Sequence, residues 1–198
     1  MPMPFDEDSF KIKYNNVVPA KGSILISEPF LIDSYFQRAV VFLAEHSTEG
    51  SMGFVLNKNL DISLSELIKD LTVKQRIPVF LGGPVNVDTL FFLHNLPFIP
   101  QSHPISDTLF LNGDFDFLKD YINAGGEIDG KIKFFFGYSG WNQNQLTEEL
   151  KENAWLVGSI PEIETLQTNT VKVWEKALAS LGEKYKKWTK FPKDPSLN

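Results

Sequence analysis

The chain has 198 residues, of which 42% are hydrophobic, and its net charge is −6. This length and composition predict a globular protein with a full core, built as one domain or as a tightly fused pair. The acidic charge argues against nucleic acids and anionic membranes as partners, and the absence of Cys excludes a disulfide framework, a thiolate metal site and a Cys nucleophile.

The N-terminal residues 1–20 show little hydrophobic periodicity, and we expect an extended arm there. Residues 1–10 are acidic and lack both the basic and the apolar segment of a signal peptide. The longest apolar runs, such as residues 39–44, are far shorter than a membrane-spanning helix. The sequence therefore indicates a cytoplasmic protein without a membrane partner.

Three short apolar segments rich in β-forming residues follow the arm. Residues 23–27 predict a buried strand that ends before Pro29. Residues 39–44 and 52–56 predict two more strands, and the loop between them contains Gly50, which can adopt a positive φ. We therefore expect a β-hairpin at this point of the chain.

The middle of the chain predicts two helices among further strands. Ser63 and Glu66 have the spacing of a capping box, and apolar residues with helical spacing follow, namely Leu64, Leu67, Ile68 and Leu71. Asp114 can cap a second helix that ends at Gly125-Gly126. The strands expected around these helices are residues 78–81, 89–93, 108–111 and 131–136.

The C-terminal part predicts a third helix that begins near Asn142, a last strand at residues 155–157 and a final helix. That final helix carries Trp174 and closes at Gly182. Across the chain, strands come in groups with helices interspersed, without strict alternation. This order favours an α+β fold or a mixed sheet over a doubly wound parallel sheet.

Separate motifs follow one another in order over residues 20–182. They are Lys21-Gly22, Arg38 with Val40-Val41, Glu45-His46, Gly82-Gly83-Pro84-Val85, Leu93-His94, Gly137-Tyr138-Ser139-Gly140-Trp141 and Gln145-Leu146. By this pattern the chain resembles the YqgE/AlgH family. The resemblance implies a single α+β domain with a mixed, partly barrel-like β-sheet surrounded by helices. It also implies a bacterial cytoplasmic protein and the family's label of transcriptional regulator, and it brings no settled activity or ligand.

The resemblance divides the chain into an arm of residues 1–20, a YqgE/AlgH-like domain of residues 20–183 and a Lys-rich tail of residues 184–198. Two positions depart from the family's pattern. Asn144 stands where the family usually has glycine, and Asn tolerates the left-handed region. Ser139 stands where alanine is common in the family, which weakens a catalytic role for its hydroxyl.

The segment around Ser139 is superficially similar to the nucleophile elbow of serine hydrolases. That motif needs a glycine where this chain has Trp141, and its histidine follows the serine. Here all three histidines, His46, His94 and His103, precede Ser139. A tight structural turn is the simpler interpretation of this segment.

The same predicted turn also suggests a binding site. Backbone N–H groups at the start of the third helix near Asn142 could hold an anion or a polar ligand, with Arg38 as a countercharge. The alternative is a helix start that is capped and purely structural.

The two motif histidines, His46 and His94, each end a predicted strand. With Asp33 or Glu45 they could form a metal site or an acid–base pair, but their spacing matches no zinc motif. The segment Gly82-Gly83-Pro84 lacks the Lys of a P-loop and the third glycine of a dinucleotide fingerprint, so we expect a rigid turn. The sequence predicts no cofactor and no metal site.

Near the C-terminus, basic and aromatic residues alternate. They are Lys184, Tyr185, Lys186, Lys187, Trp188, Lys190, Phe191 and Lys193. Such a pattern can contact phosphates and stack on bases, but it also suits the end of a helix whose aromatic rings dock on the domain. Since no helix-turn-helix pattern accompanies it, direct nucleic-acid binding is not expected.

These observations favour a non-catalytic regulatory or binding protein whose ligand is a small polar molecule or a protein surface. The residues expected around one pocket, between the hairpin and the third helix, are Arg38, His46, His94, Ser139, Trp141 and Gln145. Arg38 would bind charge, Trp141 would supply a stacking face, and Gln145 would orient the ligand. One alternative is a hydrolase with His46 or His94 as general base, and another is the direct DNA binding that the family label suggests.

Overall fold

The computed structural model describes residue 13 and residues 15–192. Most of the predicted arm, residues 1–12 and 14, lies outside the described residues, as does the end of the predicted tail, residues 193–198. The strands are β1 (Ile24–Ser27), β2 (Val40–Ser47), β3 (Gly50–Val55), β4 (Asn59–Ser63), β5 (Pro78–Leu81), β6 (Val85–His94), β7 (His103–Pro104), β8 (Phe110–Leu111), β9 (Ile132–Asn142) and β10 (Trp155–Gly158). The helices are α1 (Leu64–Leu67), α2 (Phe115–Asn123), α3 (Gln145–Lys151), α4 (Glu162–Thr165), α5 (Val173–Ser180) and α6 (Glu183–Lys186), followed by a 3-10 helix (Lys187–Lys190).

The strands form one curled, mixed β-sheet. Its main order is β10-β1-β2-β3-β9-β6-β8-β7, and β5 pairs with both β4 and β9. The β5–β9 pair is parallel, whereas the other described pairs are antiparallel. This architecture confirms the predicted α+β fold with a mixed, partly barrel-like sheet in a single domain.

The predicted β-hairpin of β2 and β3 is confirmed. The two strands are antiparallel, and His46 lies opposite Ser51 near the tip. Gly50 has a φ of +155° and lies against the carbonyl of Trp141, so a Cβ atom there would be only 2.6 Å from that oxygen. The hairpin tip therefore lies directly on the end of β9.

Strand β9 corrects the prediction of a turn at residues 137–141. Its first half pairs with β6 and β5, and its second half, including Ser139, pairs with β3. A turn is absent from this described segment because Gly137, with a φ of +67°, lets the strand bend while it keeps its partners. One continuous strand thus joins both parts of the sheet.

The segment Gly82-Gly83 crosses β9 at this bend, backbone against backbone. A Cβ atom on Gly82 would lie 2.2 Å from the carbonyl oxygen of Gly137, and one on Gly83 would lie 2.3 Å from the carbonyl carbon of Tyr138. These glycines are therefore required by close packing, which agrees with the structural interpretation of this motif.

The helices agree with their predicted positions but not always with their predicted lengths. Glu66 accepts a hydrogen bond from the Ser63 N–H at 3.1 Å, yet α1 ends at Leu67 because Ile68 adopts an extended conformation. In α2, the Asp114 carboxylate accepts the Phe117 N–H at 2.9 Å, as the sequence predicts. Helix α5 is also confirmed, and it buries Trp174.

The core consists of three apolar clusters on the faces of the sheet. The first lies between β1–β3 and the C-terminal helices and includes Phe54, Phe135 and Trp174. The second packs α1 and α2 against β5, β6 and β9. The third packs α3 against the outer face of β1–β3 and includes Trp141 and Trp155.

The open edge of β10 is covered by one side chain. The Asn15 amide donates to the Val157 carbonyl at 2.7 Å, and its oxygen accepts the Val157 N–H at 3.2 Å. A single residue thus pairs both outward backbone groups of Val157 and imitates a β-bridge.

The part of the chain from residue 182 to residue 191 folds onto the domain. Trp188 is 1% exposed and makes an edge contact with Tyr185 at a centroid distance of 4.9 Å. Phe191 stacks on Phe30 at 5.2 Å. These rings are occupied by intramolecular packing, and the lysines between them face solvent.

Among the described residues, none of the helices has both the length and the apolar character that a membrane crossing requires.

Candidate functional site

An open cleft lies between the tip of the β2–β3 hairpin and the start of α3. We call it the hairpin cleft, and its volume is about 480 Å³. Its lining residues are His46, Ser47, Thr48, Gly50, Ser51, Asn142, Gln143, Asn144, Leu146 and Thr147. The lining is dominated by hydroxyl and amide side chains and includes no Asp, Glu, Lys or Arg from the described residues.

A second open cleft of about 720 Å³ lies on the other side of the hairpin tip. We call it the flanking cleft. It shares His46 and Ser51 with the hairpin cleft and adds the charged residues Lys21, Glu45 and Glu49. The two clefts also share Ser47, Gly50 and Asn142, so they meet along the hairpin tip.

His46 and Ser51 form a direct pair across the hairpin. The Nδ1 atom of His46 lies 2.7 Å from the Ser51 hydroxyl. The pair forms because the two residues are opposite each other in the β2–β3 register. This is the closest approach to an acid–base arrangement that we find in either cleft.

Trp141 and Gln145 belong to a hydrogen-bonded network that Glu149 organises. The Glu149 carboxylate accepts the indole N–H groups of Trp141 and Trp155, each at 2.8 Å, and the Gln145 amide at 3.0 Å. Trp141 is only 5% exposed, so it offers no open stacking face. The sequence analysis did not include Glu149 among the candidate site residues. Its i, i+4 spacing from Gln145 on α3 is the signal that could have identified it.

One of the N–H groups suggested from the sequence, that of Asn142 at the end of β9, has a partner within the chain, and Asn144, the residue before α3, makes no side-chain capping bond. The Gln145 side-chain oxygen accepts the Asn142 N–H at 3.1 Å. Asn144 has a φ of +66°, which confirms the expected left-handed conformation at the position where the family usually has glycine. Since α3 has seven residues, its dipole is also short.

Ser139 lines neither cleft, although its neighbours Tyr138 and Gly140 line the flanking cleft. It is fully buried on β9, and its hydroxyl donates to the carbonyl of Gly82 at 3.0 Å. This hydrogen bond connects β9 to the segment that crosses it, so Ser139 has a structural role here.

His94 is fully buried in the other part of the sheet. Its Nε2 atom donates to the carbonyl of Asn112 at 2.8 Å, and its Nδ1 atom accepts the Leu96 N–H at 3.2 Å. Burial lowers the pKa of His94, while the two backbone hydrogen bonds oppose that shift. The ring is therefore a neutral, internally satisfied core histidine.

Arg38 lies beside the C-terminal helices. Its guanidinium is 4.9 Å from the centre of the Trp174 ring and donates to the carbonyl of Phe191. Arg38 therefore holds the C-terminal segment on the domain. His46 thus lines both clefts, Trp141 lines the flanking cleft, and Gln145 lies next to residues of the hairpin cleft. Arg38, His94 and Ser139 line neither cleft.

Within residues 15–192, no group of three or more His, Asp or Glu side chains is arranged to hold a metal ion. His46 and His94 belong to different parts of the sheet, so they do not form the joint site considered from sequence.

Lys133 is a buried polar residue that no sequence motif marks. It is 1% exposed, and its Nζ atom donates to the carbonyls of Leu56 and Gln167, each at 2.8 Å. The ammonium group also lies 4.2 Å from the centre of the Phe80 ring. Burial lowers the pKa of Lys133 to about 7.

Comparison with known proteins places this chain among uncharacterised bacterial relatives. A family model described as AlgH-like matches residues 24–186. A UPF0301 protein of Bacteroides thetaiotaomicron is 50% identical over 196 residues, which cover 99% of this chain and 100% of that protein. A UPF0301 protein of Parabacteroides distasonis is 50% identical over 191 residues, 96% of each chain.

Two solved structures share the fold. The solution structure of the AlgH protein from Pseudomonas aeruginosa is 29% identical, with a TM-score of 0.67, and the match covers 87% of this chain and 94% of that one. A crystal structure of a Corynebacterium diphtheriae protein has a TM-score of 0.70 at 19% identity and covers 88% of this chain and 94% of that one. The latter likeness concerns the fold alone.

Proposed function

The chain belongs to the AlgH-like family, and from this premise we propose that it is a cytoplasmic, non-catalytic binding protein that takes a small, neutral, polar ligand in the hairpin cleft. The observation that carries the proposal is the lining of that cleft, which combines hydroxyl and amide groups with one imidazole. The regulatory role that the family label suggests would follow from occupancy of this cleft.

The chemistry of the lining favours a neutral ligand over an anion. Side-chain amides and hydroxyls can each both donate and accept hydrogen bonds, which suits sugars, polyols and nucleosides. Gln143 and Thr147 are exposed there, and among the described residues their side chains have no hydrogen-bond partner, so both are available to a ligand. A bound phosphate or carboxylate would find no lysine or arginine in this lining.

The arrangement around His46 favours binding over catalysis. A hydrolytic serine needs a base that a third group orients and donors that stabilise the developing oxyanion. In the described part of the chain, Ser51 is the hydrogen-bond partner of the His46 ring, and no carboxylate contacts that ring. The pair is therefore best explained as a cross-strand contact that also lines the cleft.

A ligand screen by thermal unfolding tests the proposal. We expect neutral sugars, polyols or nucleosides to raise the melting temperature through binding to the folded state, with little effect of salt. The double variant His46→Ala/Thr147→Ala should lose that rise. The matched control is His103→Ala/Thr89→Ala, which changes the same residue types at exposed positions outside both clefts and should keep it.

Two outcomes of this screen contradict the proposal. One is a rise in melting temperature that only anionic compounds produce. The other is the same rise in the cleft variant as in the unchanged protein.

A hydrolase is the second candidate function, because the His46–Ser51 pair is close enough for proton transfer. Turnover of p-nitrophenyl acetate that disappears in Ser51→Ala would support it. Turnover that persists in Ser51→Ala would exclude this pair as the reacting groups.

A further inference from the structure

A third cleft lies between α4 and α5, in the C-terminal part of the chain. We call it the α4–α5 cleft. Its volume is about 800 Å³, the largest of the three clefts, and this lies within the range of small-molecule sites. Its apolar lining residues are Ile160, Pro161, Val171, Val173 and Ala177.

The walls of this cleft are held rigidly by the core. On the α4 side, Thr165 and Leu166 are at most 1% exposed, and on the α5 side Trp174 and Ala177 are at most 2% exposed. Between them, the carbonyl of Gln167 accepts a hydrogen bond from the buried ammonium of Lys133 at 2.8 Å. The cleft is therefore preformed, which lowers the entropic cost of binding.

The charges at its rim are positive on one side. Lys176 lies on α5 and Lys172 directly precedes that helix; both are exposed and line the cleft, and the Lys176 N–H donates to the Lys172 carbonyl at 2.9 Å. Among the described residues, neither takes part in an ion pair. One carboxylate, that of Glu164, is exposed on the α4 wall.

We propose that the α4–α5 cleft binds a small organic anion with an apolar body, whose carboxylate contacts Lys172 and Lys176 and whose chain lies on the apolar lining. Aliphatic side chains on both walls supply the surface that an alkyl chain buries. The two ammonium groups supply charge-assisted hydrogen bonds to the headgroup. This site and its ligand class are independent of the hairpin cleft.

Three probes of matched length test the charge requirement: octanoate, octanol and octylamine. We expect octanoate to shift the backbone amide resonances of the α4–α5 cleft, from Ser159 to Ser180, in ¹H–¹⁵N correlation spectra. Octanol should bind about tenfold more weakly, equivalent to about 1.4 kcal/mol, and octylamine more weakly still. Equal affinity for all three probes, or shifts confined to other parts of the chain, would overturn the proposal.

Variants test the assigned residues. The double variant Lys172→Glu/Lys176→Glu should weaken octanoate binding about tenfold or more. Glu164→Gln should tighten it, because it removes a repulsive charge. Lys184→Glu/Lys187→Glu, on the exposed face beyond α5, is the matched control and should leave it unchanged. All these positions are exposed, so the variants keep the fold, and equal affinity in every variant would show that the lysines do not bind the headgroup.

Discussion

At the scale of single residues, three polar side chains, Lys133, His94 and Glu149, have all their principal hydrogen bonds inside the protein. The first two are buried and titratable, and burial shifts the pKa of both downward. Lys133 and His94 therefore contribute to the free energy of unfolding, and both contributions depend on pH.

Lys133 should make the protein more stable as the pH rises above neutral. Its pKa is about 7 in the folded protein against 10.5 for a free lysine, so between these values the unfolded chain binds more protons. Stability therefore increases with pH over that window. In Lys133→Met we expect a weaker rise of the melting temperature between pH 7 and pH 9, measured by thermal unfolding. Exposed Lys176→Met is the control, and parallel curves for both variants would contradict the assignment.

His94 should make the protein sensitive to acid. Because burial lowers the pKa of His94 below the usual 6.5, the unfolded chain takes up a proton before the folded protein does. Stability is present above pH 6.5 and is lost as the pH falls below it. We expect His94→Gln to be less stable at pH 7.5 but to lose less further stability by pH 5.5, in urea unfolding. Exposed His103→Gln should behave like the unchanged protein.

Glu149 should contribute more to the free energy of unfolding than any other carboxylate on α3. Its removal in Glu149→Ala leaves the indole N–H groups of Trp141 and Trp155 without an acceptor, at a cost of about 2–3 kcal/mol. The matched control is Glu148→Ala, which removes only an exposed pair with Lys151 and should cost less than about 0.5 kcal/mol. Urea unfolding measures both, and equal costs would show that the indole contacts add little.

At the scale of secondary-structure elements, the crossing of Gly82-Gly83 over β9 constrains the fold most tightly. Gly82→Ala would place a Cβ atom 2.2 Å from the backbone oxygen of Gly137, which cannot move without breaking the ladder. We expect a loss of more than about 3 kcal/mol, measured by urea unfolding.

Gly158→Ala is the control for this substitution. Its Cβ atom would meet only side-chain atoms at an ordinary 3.4 Å, so it should be close to neutral. A small cost for Gly82→Ala would mean that the crossing can open.

The secondary-structure elements also show which parts of the fold could be predicted from the sequence and why the other parts could not. Local patterns were sufficient for the β2–β3 hairpin, the Asp114 cap of α2 and the strand β10, since each depends on neighbours in the chain. The bend of β9 at Gly137 was not predicted, because the local sequence does not distinguish a glycine in a turn from a glycine that another backbone segment crosses. For the expected pocket, His46 lies in the hairpin cleft and Gln145 beside it, whereas Arg38 lies against the C-terminal helices, whose packing the local sequence does not show.

At the scale of the whole molecule, the two parts of the sheet should unfold together. The four tryptophans lie at residues 141, 155, 174 and 188, so fluorescence reports on the part that contains β1, β10 and the C-terminal helices. Circular dichroism reports on all elements. We expect the two transitions in urea to coincide, as in a two-state domain. Separate midpoints would mean that the sheet divides at β9.

The position of β9 late in the chain has a consequence for synthesis. Strands β3, β5 and β6 all precede it, and each pairs with it along one edge. A growing chain that ends before Ile132 therefore exposes apolar strand faces and unpaired edges, which are sites of aggregation. Completion of the fold has to wait for one late segment, and such pairing between distant parts of the chain should make folding slow.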